Sequence, residues 1–225
     1  MKEKPIIFST TMVEGILEGR KTMTRRVIKP QPYDEYGIYY TTIEGFQCGP
    51  PGEQIWGETE EGESFQIKPK YEKGDILWVR ETWRVSHLCI SGNDEWAHIV
   101  YKCGKSKTID VHSTEKSLYY ASKAKWQSPL FLPREAARIF LEVKNVGVER
   151  IQDISLKDIE HEGFYCDPEY TDPNSLSRHA YAPGMRIHFC KYWDYLNKKR
   201  GYSWDSNPWV LVYTFTLKKL DTGGE

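Results

Sequence analysis

Gly19-Arg20-Lys21-Thr22-Met23-Thr24-Arg25-Arg26 is the stretch on which the reading of this chain turns. It follows a short amphipathic segment, Thr11 to Glu18. Glycine after Ile16-Leu17-Glu18 marks a helix end, because it enters the left-handed conformation at little cost. The chain then turns, and the alternation of Lys21, Met23 and Arg25 with Thr22, Thr24 and Arg26 suits a strand. One face of that strand then carries Thr22, Thr24 and Arg26. Cations and hydroxyls this dense, emerging from a turn, suit anion binding or lysine-assisted hydroxyl chemistry. The same residues also suit a solvated face, since lysine near a helix C-terminus complements the dipole.

Outward from this stretch, Ile6-Ile7-Phe8 reads as a short strand. Ser9, Thr10 or Thr11 can cap the first helix, with Glu14 completing a capping box from Thr11. Lys21 to Ile28 is the second strand, stopped by Pro30-Gln31-Pro32. Residues 33–69 are weakly patterned and read as a functional loop or an insertion with minor strands. Ile76-Leu77-Trp78-Val79-Arg80-Glu81-Thr82-Trp83 reads as one strand, and 86–125 as short strands and polar loops, with Lys116 to Lys125 as loop or edge. A turn around Arg134 to Arg138 leads into a long strand, Ile139 to Arg150. Ser155 and Asp158 open a short helix that Gly163 ends. Residues 165–185 read as loop, 188–198 as a helix with Phe189, Trp193 and Leu196 on one face, and Val210 to Leu217 as the last strand. Several non-local strands with short helices imply an α+β chain built on a small β-barrel.

Composition narrows the function. The 225 residues carry a net charge of −1, so bulk attraction to polyanions is excluded and any nucleic-acid site is a local patch or pocket. Aromatic residues make up 14% of the chain, enough both to fill a core and to stack on bases. Five cysteines without a C-x-x-C pair, and no apolar leader, point to reduced thiols in a cytoplasmic protein. No run approaches the roughly 18 apolar residues that span a bilayer. His179, His188 and Cys190 lie near one another but match no zinc spacing, so neither a metal nor a cofactor is expected.

The run Ile16 to Arg26, together with Lys73-Gly74-Asp75-Ile76-Leu77-Trp78-Val79, resembles the ASCH domain. Pro129-Leu130-Phe131-Leu132-Pro133-Arg134 and Asn207-Pro208-Trp209-Val210 resemble the larger ASCH proteins of bacteriophages and prophages. The resemblance implies a compact PUA-like β-barrel with short flanking helices and a single domain over 1–225. Residues 33–69, 86–125 and 165–203 are then long insertions. One small ASCH family hydrolyses N4-acetylcytidine to cytidine and acetate. Its motif lysine matches Lys21, its second threonine matches Thr24, and its glutamate, counted from Leu141-Glu142-Val143, falls on Glu162.

The resemblance implies catalysis by Lys21, Thr24 and Glu162. Thr24 attacks the acyl carbon, a desolvated Lys21 takes its proton, and Glu162 protonates the leaving nitrogen. Arg25 and Arg26 are candidate substrate-binding groups. So are Glu81 and Trp83, which on one strand share a face opposite Trp78 and suit an extruded base, and Arg134, which with Arg138 can grip phosphate or pair with Glu135 or Glu142. Structural readings stand beside these: Lys21 bridging Glu162, Thr24 as an ordinary strand residue, Trp83 in the core. The partner implied is a modified nucleoside or RNA. An RNA-binding module, a ribonuclease and a phage interaction protein are the competing functions.

Overall fold

The protein was analysed as a computed structural model, in which the structure describes residues 2–32, 38–42, 45–47, 54–91, 94–164 and 178–218. The chain is mixed α+β. It runs β1 (Glu3–Ile7), α1 (Thr10–Leu17), β2 (Met23–Val27), β3 (Ile38–Thr42), β4 (Gly45–Gln47), β5 (Gln54–Glu58), β6 (Ser64–Ile67) and β7 (Ile76–Arg80). There follow β8 (Trp83–Ser91), β9 (Asp94–Tyr101), β10 (Ser106–Asp110), α2 (Thr114–Ala121), β11 (Phe140–Arg150), α3 (Leu156–His161), α4 (Arg178–Asn197) and β12 (Trp209–Lys218). Among the described residues no sheet closes into a barrel. The strands of 38–67 and 83–110 pair among themselves in separate antiparallel sheets, which is how short consecutive strands satisfy their backbone. No helix among the described residues is long and apolar enough to cross a membrane.

The chain divides into two compact units, with β11 and β12 contributing to both. The first comprises Met1–Arg20, Gly74–Val143 and Phe215–Glu225. In it β1 pairs parallel with β7, and β7 pairs antiparallel with the start of β11. Ser9 caps α1 by accepting a hydrogen bond from the Met12 amide, so Glu14 is not the third helical residue and the expected box does not form. The strand expected over 76–83 is interrupted at Glu81-Thr82. That break lets Trp78 and Trp83, expected on opposite faces, join one core with Tyr101, Tyr120, Leu132 and Phe140. The segment 116–125, expected as loop or edge, is largely helical, because Ser113 caps α2 at the Lys116 amide and Tyr120 anchors the helix in that core.

The second unit comprises Lys21–Lys73 and Lys144–Thr214. In it β2 pairs antiparallel with β12, and β3 to β6 form a four-stranded sheet, the minor strands expected in 33–69. The Ser155 side chain accepts from the Asp158 amide and starts α3, as expected. The helix expected from 188 begins at Arg178 and runs through Pro183, a residue that argues against a helix interior. Met185, Phe189 and Trp193 lock it into a core with Ile151, Ile159 and Val210, and such packing outweighs local propensity. Leu196, expected on the same face, is exposed instead.

Candidate functional site

Lys21 sits in the second unit, between the turn at Gly19 and strand β2. The Thr22 amide donates to the His161 carbonyl at 2.8 Å, which ties the motif to the end of α3. Glu162 closes that helix by donating its amide to the Asp158 carbonyl. Gly163 follows at φ +95°, where a side chain is strained, and a Cβ there would lie 3.2 Å from the Lys21 Cβ. The glycine thus permits both the turn and the close approach of the helix end to the lysine stem.

The result is a lysine whose side chain has no exposed surface. Its Nζ donates to the Met23 carbonyl (2.8 Å), the Glu162 carbonyl (2.9 Å) and Glu162 Oε2 (2.7 Å), which uses all three donors of an ammonium. The other carboxylate oxygen of Glu162 accepts from Arg25 Nη1 at 3.2 Å. Arg25 also donates from Nε to Glu149 (2.5 Å) and from Nη2 to Asp158 (3.2 Å). Two cations and three carboxylates therefore share one network, buried at Lys21, Arg25 and Glu162 and partly exposed at Glu149 and Asp158, with Glu162 bridging both cations. Burial lowers the Lys21 pKa, against the opposing pull of Glu162. Burial likewise raises that of Glu149, with Arg25 opposing and Asp158 and Asp153 adding.

Thr24 is buried in β2, opposite Tyr213 of β12. The Met23 carbonyl that Lys21 holds belongs to the peptide unit leading into Thr24. Lysine and threonine are thus anchored to the same peptide. Thr24 and Arg25 are consecutive and both buried, Arg25 held by carboxylates, while Arg26 is exposed. The charge of Arg26 still bears on Lys21 and helps lower its pKa.

The other candidates lie in the first unit. Glu81 accepts from Arg138 Nε and Nη2, both at 2.9 Å, and from the Cys103 thiol at 3.4 Å. Trp83 has no exposed surface, so neither of its ring faces is open in this structure. Arg134 does not pair with Glu135 or Glu142 but forks onto Glu3, at 2.6 and 2.8 Å, and lies over the Phe140 ring. Arg138 pairs with Glu81 and lies 4.5 Å from the Tyr101 ring centre. The structure therefore brings Lys21, Arg25 and Glu162 together in the second unit, with Thr24 the neighbour of Arg25 along β2, and places Glu81, Trp83 and Arg134 in the first.

Sequence reasoning missed Glu149 and Asp158. For Asp158 a signal exists, since it precedes Glu162 by four residues and so shares a helix face with it. Among the described residues no group of three or more His, Cys, Asp or Glu is placed to hold a metal ion. Cys48 and Cys166 lie outside the described residues, as does the structure around residues 165–177.

No family model and no curated protein matches the sequence. Among solved structures, the chain is similar to the crystal structure of an ASCH domain from Lactobacillus crispatus JV V101. The TM-score is 0.36 at 10% identity, and the alignment covers 96% of this chain and 79% of that one.

Proposed function

We propose that this protein is an ASCH-type hydrolase that removes an acyl group from a modified nucleoside, with N4-acetylcytidine as the model substrate. The observation that carries the reading is the fully buried Lys21, held against Glu162 at 2.7 Å. An ion pair taken out of water loses solvation on both members, which favours the neutral pair. Passing one proton from Nζ to Oε2 yields a free amine and a carboxylic acid at once. These are the base and the acid that amide hydrolysis requires.

The amine of Lys21 then takes the Thr24 hydroxyl proton as Oγ1 attacks the acyl carbon. The carboxylic acid of Glu162 gives its proton to the departing exocyclic nitrogen. The C–N bond breaks, the amino base leaves, and the acyl group stays on Thr24 as an ester. Lys21 then returns its proton to Glu162. The regenerated amine takes a proton from water as the oxygen attacks the ester. Glu162 protonates Thr24 Oγ1 as the C–O bond breaks, and the acetic acid released ionises to acetate. Arg26, exposed and near Lys21, supplies positive charge for the oxyanion, a role worth about 3 kcal/mol where it is well aligned.

The test is to incubate purified protein with N4-acetylcytidine and to detect cytidine and acetate by mass. Turnover that Lys21→Met and Thr24→Val each abolish supports the reading. A protein that releases no cytidine, or a Thr24→Val variant as active as the wild type, rejects it. A second reading, RNA binding without chemistry, draws support from two exposed rings under cations: Trp126 below Arg84 (5.3 Å) and Tyr119 below Lys123 (4.8 Å). Polynucleotide binding that weakens steeply with salt would favour it.

A further inference from the structure

The outward face of β8, β9 and β10 in the first unit holds an open groove of about 420 Å³, lined by His87, Trp96, His98, Thr108 and Asp110. The register explains why these residues meet. His87 pairs with His98, which pairs with Thr108, and one step along Trp96 pairs with Asp110. Residues two apart on a strand share a face. Ala97, Ile99 and Ile109, between them in sequence, point into the core. The face is thus built by ordinary alternation, with one exception.

The exception is a β-bulge. Val85 pairs with Ile99, yet His87 pairs with His98, so Ser86 is an extra residue in β8. In a regular ladder of the same sequence Ser86 would pair with His98, and His87 would share the core side with Val85. The bulge turns the imidazole outward, beside that of His98, with ring centres 6.3 Å apart. Re-aiming a side chain in this way is a recurrent use of bulges near functional sites.

The hydrogen bonds fix what the groove offers. Ser86 Oγ donates its single proton to the His98 carbonyl at 3.2 Å. Toward His87 Nδ1, 3.2 Å away, the same oxygen accepts, so Nδ1 carries the hydrogen. In the neutral ring Nε2 is then an acceptor. Asp110 is exposed and adds a carboxylate that has no hydrogen bond or ion pair among the described residues. Trp96, half-buried, supplies an aromatic surface. His98 is steadied by a 3.0 Å contact between Nδ1 and the Thr108 hydroxyl. A stacking ring flanked by acceptors matches a flat heterocycle with an amino edge.

We infer that this groove binds an unpaired nucleobase bearing an exocyclic amine, stacked on Trp96 with its amino edge toward Asp110 and His87. A carboxylate accepts from the cytosine amino group, whereas uracil presents an acceptor there. The site is separate from the Lys21 network and does not depend on the hydrolase reading.

Calorimetric titration of the full chain with CMP, GMP and UMP tests it, with a short cytosine-rich RNA as a further arm. CMP or GMP is expected to bind saturably, and UMP at least about tenfold more weakly. Asp110→Asn and Trp96→Ala should each weaken binding by about tenfold. Tighter binding of the RNA than of the monomers identifies a strand as the occupant, and equal binding identifies the free nucleotide. Asp110 is exposed, so its variant should fold even where Trp96→Ala does not, with circular dichroism as the check. Absence of saturable binding, equal affinity for UMP, or an unaffected Asp110→Asn variant overturns the inference.

Discussion

Two buried carboxylates in this protein have opposite partners. Glu81, in the first unit, is held by the guanidinium of Arg138 through two parallel bonds. Glu162, in the second, is held by the ammonium of Lys21 and by one arm of Arg25. Both carboxylates are nearly inaccessible, at 2% and 5% exposure, so burial does not distinguish them. The cation does. Interaction with Glu81 raises the Arg138 pKa despite burial, and a guanidinium keeps its proton. Burial lowers the Lys21 pKa, and a lysine amine can exchange its proton. The first pair is a fixed clamp inside a packed core. In the proposed hydrolysis the second serves as the proton reservoir.

The comparison breaks most violently at Glu162. Glu162→Ala leaves Lys21 and Arg25 without their shared carboxylate, and loss of one member of a buried pair costs about 3–5 kcal/mol. Urea unfolding should show that loss. Glu81→Ala should cost less, because 14% of the Arg138 side chain is exposed and water can reach it. Equal losses would remove the distinction between the two cations, one partly exposed and one not.

Next in size is Gly163→Ala. The residue at φ +95° is strained with any side chain, and its new Cβ would press on the Lys21 Cβ. A loss of about 1–3 kcal/mol is expected in thermal or chemical unfolding. Arg138→Lys should cost about 1 kcal/mol, the difference between a two-bond fork and a point charge.

The smallest effect is the most diagnostic, since the two sites differ in sign with pH. Lys21 binds its proton less tightly folded than unfolded. Between its lowered pKa and the ordinary 10.5, its contribution to stability therefore rises with pH. Tyr101, beside Glu81, is pushed up from 10.0 mainly by burial, so its contribution is complete below pH 10 and falls as pH climbs beyond. Unfolding measured across the alkaline range should lose the rising component in Lys21→Met and part of the falling one in Tyr101→Phe. The opposite pattern would contradict the assigned protonation states.

The α+β class and much of the Lys21 site were legible in the sequence because their signals are local. A glycine ends α1, Ser155 caps α3 and Gly163 stops it, whereas Glu162 is reached only through the resemblance to the ASCH domain. What stayed hidden depends on distant residues. Arg134 finds Glu3, 131 positions away, and Arg25 finds Glu149 across 124. No periodicity reports such partners. The break at Glu81-Thr82 looks like a continuing strand because its flanks are apolar on both sides. The bulge at Ser86 leaves no composition signal either, since one extra residue is visible only against the opposing strand.

The most direct measurement is cytidine release from N4-acetylcytidine by wild type, Lys21→Met and Arg138→Lys in parallel. The account predicts turnover by the wild type, its loss in Lys21→Met with the fold retained, and near wild-type turnover in Arg138→Lys. Activity that survives in Lys21→Met, or no cytidine from the wild type, would contradict the claim that the Lys21–Glu162 pair is the protein's acid–base centre.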